Sequence, residues 1–91
     1  MELSEIRLSI DSIDADIIRL LAKRAELVAA AGKLKKDEQG VRDPKRVEQV
    51  IEKVKAKARD AGLDPEIAER TYRTLIDCFI EKELAMFNKG R

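Results

Sequence analysis

Two side chains in this sequence, Arg24 and Glu83, have the wrong type for the position they occupy, and with three cations around them they describe a chemistry. Arg24 lies in an apolar heptad seam, Arg7 and Lys35 flank that seam, Arg46 opens a second helical stretch, and Glu83 sits on an apolar line near the C-terminus. A guanidinium cannot shed its proton, and burying one unpaired costs several kcal/mol, so something anionic should meet Arg24. A carboxyl group in apolar surroundings keeps its proton to higher pH, because desolvation penalises the charged form. Cations around a neutral carboxyl group make a pocket for a small polyanion. Nucleophilic chemistry has no support: the chain contains no His, so Ser4, Ser9 and Ser12 lack an imidazole base, and Thr71, Thr74 and Cys78 lack an evident activator. A reaction that needs only positioning and electrostatics suits such a pocket.

These residues must be held by helices. With Leu3 at heptad position a, that position holds Leu3, Ile10, Ile17, Arg24 and Ala31, and position d holds Ile6, Ile13, Leu20, Leu27 and Leu34. The pattern predicts a first helix from Leu3 to about Lys35, with Ser4 as a plausible N-cap. Such a helix is roughly 48 Å long, more than a compact monomer of this size spans, so it is expected to pack along a second copy of itself. On a continuous helix Arg24 and Lys35 point to nearly one side, about 16 Å apart along the axis, and a compact dianion fits between them. Arg7 stands roughly 42 Å from Lys35, so it can join the same site only from an antiparallel partner, which gives two identical sites per dimer.

The segment Lys36–Gly40 reads as a short polar loop. Asp43-Pro44 reads as the N-cap and first position of a second helix, with Val47, Val50, Ile51, Val54 and Ala58 inward and Gly62 as a left-handed cap. Leu63-Asp64-Pro65 repeats the start signal, and the third helix carries Ile67, Ala68, Tyr72, Leu75, Ile76, Phe79, Ile80, Leu84 and Phe87 on one line, with Cys78 as core or boundary filler. The tail Asn88–Arg91 is expected to fray. The expected architecture is therefore all-α, with three helices per chain, one long and two shorter, forming a single domain over residues 1–91 and an intertwined helical homodimer.

Composition agrees and narrows the class. Charged residues make 41% and aromatic residues 3% of the chain, a helical composition. Net charge is +1, from 19 basic and 18 acidic residues, without the basic excess that nucleic-acid binders carry. One cysteine fits a reducing compartment. The start MELSEIR has no apolar core of a signal peptide, and no run approaches the roughly 20 apolar residues of a membrane span. A cytoplasmic protein with neither nucleic-acid nor membrane partners is expected.

The run LSEIRLSIDSIDADIIRLLAKRAELVAAAGKLK, then VRDPKRVEQVI, then GLDPEIAERTYRTLIDCFIEKEL, resembles the small all-helical chorismate mutase family. The likeness extends to its relative, the isochorismate pyruvate-lyase, and covers nearly the whole chain. It implies an intertwined dimer that rearranges chorismate to prephenate without cofactor, metal or covalent intermediate. By that resemblance, Arg24 binds one substrate carboxylate and Arg7 of the partner chain the other. Lys35 donates to the ether oxygen, Arg46 lies near the carboxylates, and Asp43 meets the ring hydroxyl. Glu83 occupies the place of a second donor to the ether oxygen, and Val47 and Ile80 line the substrate.

Two positions depart from the pattern of dedicated mutases. Val47 stands where many have a Glu that binds the ring hydroxyl and where the lyase, like this chain, has an apolar residue; Glu83 stands where the lyase has Gln. The first reading is chorismate mutase. Its alternatives are isochorismate pyruvate-lyase, a mutase of aminodeoxychorismate, and a non-catalytic helical dimerisation module in which Arg7, Arg24 and Glu83 serve salt bridges.

Overall fold

The computed structural model describes residues 1–89, and they divide into two compact units, one from Met1 to Lys33 and one beginning at Leu34. Every element among the described residues is helical: α1 Leu3–Gly32, α2 Glu38–Arg42, α3 Pro44–Ala61 and α4 Pro65–Lys89. Three of them are the expected main helices, and α2 is an addition.

The first unit is α1 alone, 30 residues and about 45 Å long. None of its residues is buried; Ile10, Ile13 and Ile17 of the seam are 50%, 58% and 47% exposed. Its N-cap is Glu2, which makes no side-chain cap bond, rather than Ser4, which is already inside the helix. The helix also stops short of Lys35. Gly32 weakens its last turn, and Lys33 caps it by donating its backbone N–H to the Ala29 carbonyl at 3.2 Å.

In the second unit α4 packs against both α2 and α3. Val41 of α2, Ile51 and Ala58 of α3, and Ala68 and Ile76 of α4 form its buried core. Ile51 is 1% exposed, and burial of such a side chain contributes about 1.5–3 kcal/mol. The α3–α4 turn follows from its sequence. Gly62 takes φ 77°, ψ 19°, its N–H reaches the Arg59 carbonyl and that of Leu63 the Ala58 carbonyl, a Schellman ending that glycine adopts at little cost. Asp64 then accepts the Glu66 N–H at 2.9 Å and starts α4.

Charge ties α3 to α4 as well. Arg73 donates twice to the two carboxylate oxygens of Glu48, at 2.9 and 3.0 Å, and once through Nε to Glu69 at 2.9 Å. Lys55 lies 3.6 Å from the other Glu69 oxygen. Hydrogen bonds from the forked guanidinium are the main cause that holds the carboxyl groups of Glu48 and Glu69 below the usual carboxylate range, followed by the Arg73 charge at Glu48 and by the Lys55 and then the Arg73 charge at Glu69.

Three smaller expectations are corrected. Ile67 heads the α4 line but is 53% exposed, and Cys78 is exposed rather than core filler. Asn88 and Lys89 continue α4; Gly90 and Arg91, the rest of the expected frayed tail, lie outside the described residues. No helix among the described residues is long and apolar enough to cross a membrane.

Candidate functional site

The segment read as a polar loop is where the site takes its shape. Asp37 accepts the Gly40 N–H at 2.7 Å and so begins α2, a helix of five residues anchored by buried Val41. The helix ends at Asp43, which is at once the C-cap of α2 and the N-cap of α3. Its backbone is left-handed, φ 37° and ψ 63°, a conformation that costs an L-residue about 1–2 kcal/mol and that Asp tolerates better than most. Four interactions fix it there. Its N–H donates to the Gln39 carbonyl at 2.8 Å, and its carbonyl accepts from the Val47 N–H at 3.1 Å. Its Oδ1 accepts from the Arg46 N–H at 3.3 Å, and its Oδ2 lies 3.6 Å from Lys35 Nζ.

Lys35 is consequently not on α1. The helical spacing from Arg24 and from Arg7 assumed an unbroken helix through Lys35, and α1 ends three residues earlier. Instead the Lys35 stem runs beside Gly40, where an added Cβ would meet Lys35 Cβ and Cδ at 3.7 Å and Asp37 Oδ1 at 3.3 Å. The contact with the Asp37 oxygen is the tight one, and the lysine stem lies at ordinary van der Waals distance. The ammonium is only partly exposed, with a side-chain accessibility of 27%.

Glu83, on α4, is partly buried. Burial pushes its carboxyl group above the usual carboxylate range, and the Lys35 charge opposes that shift without cancelling it. The second unit therefore brings together an ammonium, a carboxylate that holds it and a carboxyl group biased towards its neutral form. Val47 and Ile80 are partly buried on α3 and α4, while the Arg46 side chain is exposed at the start of α3.

The two remaining cations belong to the first unit. Arg7 is exposed and Arg24 partly buried on α1, roughly 26 Å apart along its axis, so a small molecule cannot touch both on one chain. Sequence reasoning did not single out Asp37, Gly40 or Arg73. Asp37 with Gly40 three residues on carries a capping signal, but one embedded in a run of polar residues.

The comparisons with known proteins bear on the same residues. The model of the family "Chorismate mutase type II" matches residues 6–84, which takes in Arg7, Arg24, Lys35 and Glu83. The chain is also 30% identical over 89 residues to the isochorismate pyruvate lyase of Pseudomonas aeruginosa, covering 98% of this chain and 88% of that relative. From Arg7 to Glu83, then, the sequence that carries these cations and this acid is shared with a family of enzymes, and the chain belongs to the chorismate mutase type II family.

Proposed function

We propose that this chain is a chorismate mutase that rearranges chorismate to prephenate in a cationic pocket, with no cofactor. The observation that carries the reading is that Lys35, 3.6 Å from Asp43 Oδ2, acts through its charge on the partly buried Glu83, whose carboxyl group burial nonetheless raises above the usual carboxylate range. In the rearrangement the ether C–O bond breaks as a new C–C bond forms, and negative charge grows on the ether oxygen. Lys35 and Glu83 in its protonated form both donate to that oxygen, and donors aimed where charge develops lower the barrier selectively. Arg24 and Arg46 hold the carboxylates of the dianion, Asp43, Val47 and Ile80 surround the ring, and Arg7 arrives from a second copy of the chain. The apolar seam of α1 supports the homodimer, since Ile10, Ile13 and Ile17 are all exposed on the single chain.

A second reading has its own support. The Pseudomonas aeruginosa relative acts as an isochorismate pyruvate lyase, and Val47 presents no acceptor to a ring hydroxyl. The lyase reaction also passes through a pericyclic transition state, so one pocket of this kind serves either substrate.

The deciding experiment offers chorismate and isochorismate separately to the purified protein and identifies the products. Prephenate from chorismate at the higher kcat/KM supports the mutase; salicylate and pyruvate from isochorismate at the higher kcat/KM replaces it with the lyase. A bicyclic dianion that mimics the rearrangement transition state tests for any site at all. At 100 times its Kd it should stabilise the fold by about 2.7 kcal/mol, and no stabilisation would favour a non-catalytic helical module.

A further inference from the structure

We infer that Asp43 is a positioning residue whose carboxylate tethers Lys35 to the α2–α3 corner, at the cost of weaker binding of an anionic substrate. The inference rests on the reading of Lys35 as the group that meets the substrate, and it assigns Asp43 a task that contact with a ring hydroxyl does not include.

The geometry supplies three independent reasons. Lys35 lies beyond the end of α1, so no helical backbone fixes its side chain, and its ammonium is held by Asp43 Oδ2 at 3.6 Å. Asp43 is itself held: its N–H, its carbonyl and Oδ1 are engaged with Gln39, Val47 and Arg46, so the tether is anchored to two helices at once. The position also demands a particular residue. A left-handed backbone at φ 37° favours Gly, Asn or Asp, an N-cap favours Asp, Asn or Ser, and an ammonium partner requires a carboxylate. Only Asp meets all three demands.

The cost follows from the same charge. A carboxylate beside the cation that grips a dianion repels that dianion, a cost that a neutral Asn or Ser cap would avoid. The tether exchanges some affinity for orientation, and a misplacement of about 1 Å at a reacting centre can cost on the order of 10²-fold in rate.

Three variants separate the possibilities. Asp43→Asn keeps the left-handed backbone and the cap acceptor but removes the charge. It should lower kcat roughly ten- to hundredfold and, with one repelling charge gone, lower KM by about threefold. Asp43→Gly keeps the backbone and removes cap and tether together, and should show the same fall in kcat with a lower Tm. Lys35→Ala should abolish most turnover whatever stands at position 43. A folded Asp43→Asn with unchanged kcat and KM, alongside an inactive Lys35→Ala, would overturn the tether and leave the role of Lys35 standing. Loss of activity in Asp43→Gly but not in Asp43→Asn would overturn the tether as well, since the cap alone would then matter. A fully active Lys35→Ala would overturn the reading of the site and the tether with it.

Discussion

Glu83→Gln should leave the protein active and remove one pH dependence from two separate measurements. In the fold, burial raises the Glu83 pKa and Lys35 only partly offsets the rise. The folded chain therefore binds this proton more tightly than the unfolded chain does. Stability from this group is complete below the ordinary carboxylate range and is lost as pH rises through the raised value. On the proposed mutase reading activity should follow the same titration, because an ionised carboxylate would repel the charge growing on the ether oxygen and a protonated one would donate to it. Above the pKa the neutral fraction drops tenfold per unit, so kcat/KM should fall about tenfold per pH unit. The fall has a floor: losing one such donor is worth on the order of 10²–10³-fold, so the decline should level off after roughly two to three units. Glu83→Gln cannot ionise and should flatten both the alkaline limb of kcat/KM and the matching slope in Tm, while Glu83→Ala should lie near the floor at every pH. The assay is prephenate formation across a pH series, with thermal melts in the same buffers. If the Gln variant kept the wild-type alkaline limb while its Tm slope vanished, Glu83 would titrate as the structure requires and have no part in the reaction.

Three further outcomes can be checked with the same protein. If the site is shared between two chains as proposed, Arg7→Ala and Arg24→Ala, each inactive alone, should regain part of the activity when refolded together, because one site of a mixed dimer would hold both arginines; no recovery despite proven heterodimers would exclude the shared site. Ile51→Ala should destabilise the fold by about 2–5 kcal/mol in urea titration, since the side chain is almost fully buried between α3 and α4. The Glu48–Arg73–Glu69 cluster stabilises the fold above the ordinary carboxylate range, and that contribution should be lost as pH falls through the depressed values of Glu48 and Glu69. Arg73→Ala should therefore melt earlier at neutral pH and show a shallower loss of Tm on acidification; an unchanged acid slope would mean that the cluster adds no stability.

Much of this fold was legible because its helices announce their ends. Asp43-Pro44, Gly62 and Asp64-Pro65 carry their signals within one or two residues, and the α3 and α4 stripes repeat often enough for a period of 3.6 to show. The region from Ala31 to Arg42 was not legible in the same way. Leu34 continues the heptad past Gly32, so the hydrophobic pattern runs on after the backbone has turned. Helix α2 has five residues, too few to display any period, and it exists because Asp37 caps it and Val41 finds the core. Lys35 and Glu83 stood out by residue type, but their proximity is a tertiary fact. So is the Arg73 clamp, whose Glu48 partner lies 25 residues away and leaves no local trace.

The corner at Asp43 has a consequence for how the chain can vary in length. Two helices that share a single terminal residue have no slack between them, so one pair of backbone torsions sets the angle at which they meet. Inserting one residue there would swing α2 about 100° around the axis of α3 and carry the Lys35 anchor off its bearing. The turn between α3 and α4, at Leu63, contains no such shared residue. Length changes between functional relatives should therefore collect there, and the corner itself should keep a fixed residue count.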